Sequence, residues 1–133
     1  MDHQIATHIV RVEDDIVSIR VIGDFEGPHM QRLLEIIGGV IEKHGRYATL
    51  IDTRQMTRMS PDTRKLVSEY KGATTCFGNA IFGDSLAARV VMTMAWRAIQ
   101  LLNSQKFPAA FFKNESEARA WLATRRDATT SKQ

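Results

Sequence analysis

Residues 16–52, IVSIRVIGDFEGPHMQRLLEIIGGVIEKHGRYATLID, decide the fold class of this chain. The stretch opens with an apolar run at Ile16–Ile22 and closes with another at Tyr47–Asp52. Between them, apolar residues recur at helical spacing over Pro28–His44. Proline suits the first position of a helix, and glycine suits the position just past its end. A strand, a helix and a second strand in this order predict a crossover unit with parallel strands.

The same alternation continues on both sides of this stretch. We predict further elements, in chain order, at Ile5–Val12 (strand), Pro61–Gly72 (helix), Phe77–Phe82 (strand), Leu86–Asn103 (helix), Pro108–Phe112 (strand) and Glu115–Arg125 (helix). The acidic turn Glu13-Asp14-Asp15 predicts an antiparallel hairpin between the first two strands. We therefore expect one α/β domain over residues 1–126, a mixed sheet of about five strands flanked by about four helices. The polar residues 127–133 are expected to form a disordered tail.

The composition is that of an ordinary globular protein. Of the 133 residues, 44% are hydrophobic and 25% are charged. The net charge is +3 and the basic residues are dispersed, so nucleic-acid binding has little support. The single cysteine, Cys76, cannot form an internal disulfide, which fits a reducing compartment, and we expect it in the core.

No targeting segment or metal site is apparent. The first ten residues lack the pattern of a signal peptide, and Arg89 and Arg97 interrupt the most apolar segment, 86–102. We therefore expect no integral membrane segment and a cytoplasmic location. The four histidines share no spacing typical of metal ligands, and His8 is expected to face solvent from an edge strand.

The segment after the strand Tyr47–Asp52 is rich in hydroxyls and arginines. We predict that Thr53–Met59 forms a loop and that Ser60 caps the helix that begins at Pro61. Such residues at a helix N-terminus suit an anion, or a covalent phosphate on Thr53, Thr57 or Ser60 held by arginines at 54, 58 or 64. The alternative is that Ser60 only caps the helix and the arginines are solvated. Asp52 is expected to pair with these arginines or with a backbone donor in the loop.

The predicted helix Leu86–Asn103 has a polar stripe that includes Arg89, Thr93 and Arg97, with apolar residues such as Val90 and Met94 facing inward. Met92 and Trp96 lie at the margin of that stripe. They could dock a partner, an identical subunit or an apolar ligand, or neighbouring elements could cover them. Asp84-Ser85 is expected to cap this helix. It is not a nucleophile elbow, because the second glycine of that motif is missing.

The element order and four sequence segments resemble the SpoIIAA-like branch of the STAS superfamily. The segments are the hairpin, the strand that ends at Ile51-Asp52, the strand Asn79–Asp84 and the closing pattern FFKNESEARAWL at 111–122. The resemblance covers about residues 5–125. It implies a domain that works by binding, as in anti-sigma-factor antagonists, and this branch also resembles the CRAL-TRIO lipid-carrier fold.

The resemblance also has one departure. In STAS antagonists the loop after the strand reads Asp-Ser-Ser-Gly-Leu-Gly, and a partner kinase phosphorylates its second serine. Here the stretch is Asp52-Thr53-Arg54-Gln55-Met56, with Arg54 at the phosphorylated position and neither glycine present. A phosphorylation switch at Thr53, Thr57 or Ser60 would therefore need a different geometry.

We therefore predict a non-catalytic regulatory or scaffolding domain that acts through protein contacts, with no cofactor and no metal. Its expected ligand or partner surface comprises Asp52, Thr53, Arg54, Met56, Thr57, Arg58, Met59, Ser60, Asp84, Ser85, Arg89, Met92 and Trp96. The alternative is a carrier or sensor of a small apolar ligand, in a pocket lined by Met56, Met59, Met92, Met94 and Trp96. A homodimer is left open, and an enzyme has less support because no nucleophile–base pair is visible.

Overall fold

The computed structural model describes residues 2–83, 90, 93, 94, 97 and 108–131. Their strands are β1 (Asp2–Ile5), β2 (His8–Glu13), β3 (Ile16–Phe25), β4 (Tyr47–Met59), β5 (Cys76–Phe82) and β6 (Ala109–Phe112). Their α-helices are α1 (Gly27–His44), α2 (Pro61–Glu69) and α3 (Glu115–Ser131), and a short 3-10 helix spans Lys71–Thr75. The predicted α/β class is confirmed.

The sheet follows the order of the chain, β1-β2-β3-β4-β5-β6. The first three strands pair antiparallel and the remaining pairs are parallel, as predicted for a mixed sheet. The described part of the sheet has one strand more than expected, because Ile5–Val12 is not continuous. Ile5 lies opposite His8, and Ala6 in the turn between them has a φ of 54°. An alanine gives no turn signal in the sequence, so the alternating apolar pattern of Ile5–Val12 predicts a single strand.

Helices cover the sheet on both faces. Right-handed crossovers between adjacent parallel strands place α1 and α2 on one face. There Tyr47 joins an apolar cluster with Leu33 and Ile37 of α1. On the opposite face, Leu50 packs against Leu122 of α3. The α3 helix packs mainly on β4, β5 and β6. It therefore covers about half of this face of the sheet.

Strand β4 is longer than predicted. The segment Thr53–Met59, expected to be a loop, continues the strand and pairs with β3 as far as Phe25. In the segment Thr53–Met59 the strand β4 is paired only with β3, because in the described residues β5 pairs with β4 no further than Asp52. Most of its side chains are exposed, so the apolar alternation that marks a strand is lost. Pairing with β3 is irregular around Gly23, whose φ is 85°.

Three helix predictions need correction. After α2 ends at Glu69 the chain continues as the 3-10 helix rather than as an α-helix to residue 72. Helix α3 continues to Ser131, so residues 127–131 are helical rather than part of a disordered tail. Most of the predicted helix 86–103 lies outside the described residues. Val90 and Met94, expected to face inward, are exposed. The polar stripe of that segment is narrow, so helical periodicity alone could not tell which of its many apolar residues would be buried.

His8 is fully buried and does not face solvent as predicted, because its ring packs against the rings of Phe25 and His29. Its Nδ1 accepts a hydrogen bond from the N–H of Ile22 (3.0 Å), so the neutral ring donates through Nε2 to the carbonyl of Asp24 (3.1 Å). The same Nε2 lies 3.2 Å from Nδ1 of His29, which accepts from the N–H of Glu26. Burial, followed by the charge of His29, lowers the pKa of His8.

The lowered pKa of His8 predicts a loss of stability in acid. The unfolded chain binds the proton more readily, so the free energy of unfolding should fall as the pH drops below about 6.5. Protonation of one histidine can change the free energy of unfolding by at most about 1.4 kcal/mol per pH unit. Urea unfolding at pH 7.5 and pH 5 should show a weaker pH dependence for His8→Asn than for the wild type. The exposed Gln31 of α1 supplies the control, since Gln31→Ala changes no titratable group and should keep the wild-type pH dependence. If the free energy of unfolding falls equally between pH 7.5 and pH 5 in His8→Asn and in the wild type, this role of His8 is contradicted.

Candidate functional site

The predicted ligand or partner surface falls into two parts. Residues 52–60 lie on β4 and at the start of α2, within the described residues. The other predicted members (Asp84, Ser85, Arg89, Met92 and Trp96) lie outside the described residues. Within the described part, Asp52 and Thr53 are buried and Met56, Met59 and Ser60 are partly buried. The exposed members are Arg54, Thr57 and Arg58.

Asp52 is the charged centre of the described part. It is only 6% exposed, yet its carboxylate has several donors. The backbone N–H and Nε of Arg54 donate to Oδ1, both at 3.0 Å, and Nη2 of Arg54 donates to Oδ2 at 2.7 Å. Nε of Arg20 lies 3.5 Å from Oδ2. The predicted pairing of Asp52 with an arginine and with a backbone donor is therefore present, and Arg20 is an addition.

The ionised form of Asp52 is favoured. Burial by itself raises the pKa of this carboxyl group, but the hydrogen bonds from Arg54 and the charges of Arg54 and Arg20 outweigh burial. The pKa therefore lies below its ordinary value, and the carboxylate is charged at neutral pH. Asp52 acts as a fixed anion that orients arginines and is a poor general base.

The parallel register explains why Arg20 meets Asp52. One row of residues crosses the sheet from β2 to β6 and contains Ile9, Arg20, Asp52, Phe82 and Phe112. Sequence reasoning missed Arg20 because the interaction depends on which residues of β3 and β4 lie side by side. The alternating pattern of β3 carries a partial signal, since it places Arg20 on the face opposite α1.

Open space adjoins this row where α3 does not cover the sheet. A cleft of about 280 Å³ is lined by Arg20, Asp52, Arg54 and Gln55. A second cleft of about 270 Å³ shares Arg20 and Asp52 and extends to Arg119 of α3. Arg119 donates to Glu13 of β2 and to Glu115 of its own helix. The clefts therefore lie between the edge of α3 and the uncovered strands β2 and β3.

The three predicted phosphorylation candidates have different environments. Thr53 is buried, and its hydroxyl donates to the carbonyl of Phe82 at 3.0 Å. Thr57 is exposed, and its hydroxyl donates to Oδ1 of Asp24 at 2.6 Å. The hydroxyl of Ser60 is buried. Of the three, only Thr57 presents its hydroxyl at the surface.

Ser60 occupies the predicted N-cap position of α2, but its hydroxyl makes no capping hydrogen bond with the described residues. The hydroxyl of Thr63 instead donates to the carbonyl of Ser60 at 2.6 Å. The prediction of a serine side-chain cap is therefore wrong, although the position is right. By contrast, Oδ1 of Asn114 accepts the N–H of Glu117 at 2.9 Å, so Asn114 caps the start of α3.

Met56 and Met59 turn toward the helices. Met56 packs against the apolar cluster beneath α1. Met59 lines a cavity of about 60 Å³ between α1, α2 and the sheet, together with Leu33, Ile37 and Tyr70. Pockets that hold small ligands usually measure about 300–1,000 Å³. This cavity by itself is therefore too small for a lipid-like molecule.

The described residues present little chemistry of other kinds. They contain no group of three or more His, Cys, Asp or Glu side chains placed to hold a metal ion. Cys76 is buried, as expected, and burial raises the pKa of its thiol to about 11, so it is a poor nucleophile. None of the helices within the described ranges has the length and apolarity needed to cross a membrane.

Replacing the buried carboxylate should destabilise the protein. Asp52→Asn leaves Arg20 and Arg54 without a counter-charge and removes a hydrogen-bond acceptor. We expect the free energy of unfolding to fall by about 1–3 kcal/mol in urea denaturation. Asp2→Asn is the matched control, because Asp2 also pairs with an arginine but is exposed, and its unfolding midpoint should stay close to wild type. Equal midpoints for the two variants would contradict a structural role for Asp52.

Comparison with known proteins places this geometry in a family. The sequence profile of the family described as SpoIIAA-like matches residues 16–123, most of the chain. No protein of curated function matches the sequence.

Three solved structures share the fold. An uncharacterised protein of the DUF3478 family from Shewanella loihica PV-4, with a SpoIIAA-like fold, has a TM-score of 0.59 at 17% identity, over 92% of this chain and 98% of that chain. The anti-sigma factor antagonist SpoIIAA in its unphosphorylated form has a TM-score of 0.55 at 15% identity, over 86% and 96%. The Bacillus cell fate determinant SpoIIAA in its phosphorylated form has a TM-score of 0.53 at 14% identity, over 85% and 96%. These likenesses show the fold, and the profile match shows that the chain belongs to the SpoIIAA-like branch of the STAS superfamily.

Proposed function

We propose that this chain is a non-catalytic regulatory or scaffolding domain that binds a protein partner through the outer half of β4. Its fold is related to that of anti-sigma factor antagonists, which fits a regulatory domain. The partner surface consists of Arg54, Gln55, Thr57 and Arg58, and this set is called the β4 surface below.

One observation carries the proposal. Beyond Asp52, β4 continues along β3 to Met59, and all four members of the β4 surface are exposed. Pairing with β3 holds the backbone of this segment in an extended conformation. Because the backbone of this segment is already ordered, a partner that binds its polar and cationic side chains does not have to order the backbone as well.

The charged groups at this site favour binding over catalysis. Among the described residues, Asp52 is bonded to Arg54 and lies beside Arg20, and no histidine is hydrogen-bonded to it. A carboxylate held by guanidinium groups gives and takes protons poorly near neutral pH. The small cavity between α1 and α2 gives no support to the alternative of an apolar-ligand carrier.

Charge reversal within the β4 surface should disrupt partner binding. Crosslinking of the tagged wild-type protein, in cells that naturally express the chain, should capture a partner protein. The Arg58→Glu variant should recover about 5- to 30-fold less of that partner. The control is Lys43→Glu, an equal change of charge at the exposed C-terminal end of α1, which leads into the start of β4 and so lies far from Arg58 at the end of that strand. Circular dichroism should show that both variants are folded.

Two results would contradict this function. One is equal recovery of the same proteins by Arg58→Glu, Lys43→Glu and the wild type. The other is the absence of any protein that the wild type captures above the level of an untagged sample.

A further inference from the structure

We infer that His8 is a positioning residue for the β4 surface and makes the order of that surface depend on pH. This inference rests on the proposed function, because it concerns the regulation of the same surface. The imidazole of His8 ties β2 to the outer end of β3, and that end of β3 supports the β4 surface. Histidine is the side chain that ordinarily gains a proton just below neutral pH.

The side chain of His8 takes over where the backbone pairing of β2 with β3 ends. The β2–β3 register reaches no further along β3 than Arg20. Beyond that point, Nδ1 of His8 accepts the N–H of Ile22 and Nε2 donates to the carbonyl of Asp24. The hydroxyl of Thr7 donates to the carbonyl of Ile22 at 2.6 Å. Side chains thus make the bonds to β3 that a longer β2 would make with its backbone.

The same segment of β3 holds the β4 surface. Ile22 lies beside Gln55, and Asp24 lies beside Arg58 in the parallel register. Oδ1 of Asp24 also accepts the hydroxyl of Thr57 at 2.6 Å. In the described residues, β3 is the only strand that pairs with this part of β4. The bonds that fix the outer end of β3 therefore also fix the β4 surface.

A proton on His8 is incompatible with these bonds. Nδ1 carries the lone pair of the neutral ring, and the N–H of Ile22 already occupies it. A protonated Nδ1 would face that N–H, so the hydrogen bond must break. The ring is also fully buried against Phe25, where a charge has no water around it. Opening of the outer end of β3 removes both costs, and acid therefore favours the open form.

The groups that face His8 leave its ring neutral at neutral pH. Burial lowers its pKa most, the charge of His29 on α1 lowers it further, and the carbonyl of Asp24 on β3 opposes them by a smaller amount. Glu26, at the start of α1, donates its N–H to His29. On β1 the residue opposite His8 is apolar, and His3 is two positions away. The arginines of β2 and β3 line the opposite face of the sheet.

The test is hydrogen exchange of the whole chain, followed residue by residue by NMR at pH 7.5 and pH 5. It compares Gln55–Met59 with Ala48–Ile51, a segment of β4 that pairs on both sides. Protection factors, which are corrected for the intrinsic exchange rate at each pH, should be lower for Gln55–Met59 because this segment opens by itself. They should also fall about 10- to 30-fold from pH 7.5 to pH 5, since His8 in the open form regains a pKa of about 6.5.

The variant His8→Asn separates the proton from the hydrogen bond. The asparagine side-chain oxygen can accept the N–H of Ile22 in place of Nδ1, but it does not titrate. Once circular dichroism shows that the variant is folded, Gln55–Met59 should have equal protection factors at the two pH values. His44→Gln is the control, because His44 lies about 22 Å along α1 from His29 and the local opening leaves that end of the helix folded. It should keep the wild-type fall in protection.

Three results would overturn the inference. They are equal protection of the two β4 segments at both pH values, protection of Gln55–Met59 that does not change with pH in the wild type, and an undiminished fall in His8→Asn. The first two need no variant, so they decide the question even where His8→Asn does not fold.

Partner capture at pH 7.5 separates this inference from the proposed function. Loss of the partner with Arg58→Glu, together with wild-type protection that does not change with pH, would overturn the role of His8 alone. Equal capture by Arg58→Glu and the wild type would overturn the proposed function, and with it the regulatory meaning of the exchange result.

Discussion

The central position of β4 is the constraint on which the rest of the structure depends. Its first residues pair with β3 on one side and β5 on the other, and helices cover both of its faces. A polar side chain in such a strand is tolerated only if it finds a partner. Thr49 therefore donates to Asn79 of β5, and Thr53 donates to the carbonyl of Phe82. The strand is fixed in register by these bonds as well as by its apolar packing.

Asp52 lies where this constraint ends, at the last residue that pairs with β5. A nearly buried carboxylate needs compensation, and Arg54 and Arg20 provide it. The same arrangement occurs near the start of β3, where Asp15 is bonded to Arg46 and Arg126. At Asp15 both arginines donate to the carboxylate, whereas at Asp52 only Arg54 does. Both buried carboxylates are thus compensated by arginines that the fold brings to them.

The extension of β4 separates this chain from the pattern that it resembles. STAS antagonists have the glycine-containing loop Asp-Ser-Ser-Gly-Leu-Gly after the corresponding strand. Here Arg54 and Gln55 replace the small residues of that loop, and the chain continues as a strand along β3 to Met59. Without glycine the backbone has less freedom to turn, which favours the extended conformation. The family fold is kept while the segment after Asp52 presents side chains on a rigid strand.

The order and type of most elements could be read from the sequence, because apolar periodicity and helix-end signals are local. Asn114 illustrates this, since an N-cap needs only the three residues that follow it. The pairing of Asp52 with Arg54 was also foreseeable, as the two residues are close in the chain. Where a local signal was missing, the prediction failed. The turn at Ala6 and the polar half of β4 left no apolar pattern to read.

The sequence by itself therefore determined an α/β fold, its element order and a charged segment after the strand that ends at Asp52. Only the tertiary structure decided which distant residues meet. The β3–β4 register brings Arg20 to Asp52, and the arrangement of β2 beside β3 brings His8 against Phe25 and His29. These outcomes depend on strand pairing across many residues of chain. A shift of one residue would send each side chain to the opposite face, and no local pattern specifies that choice.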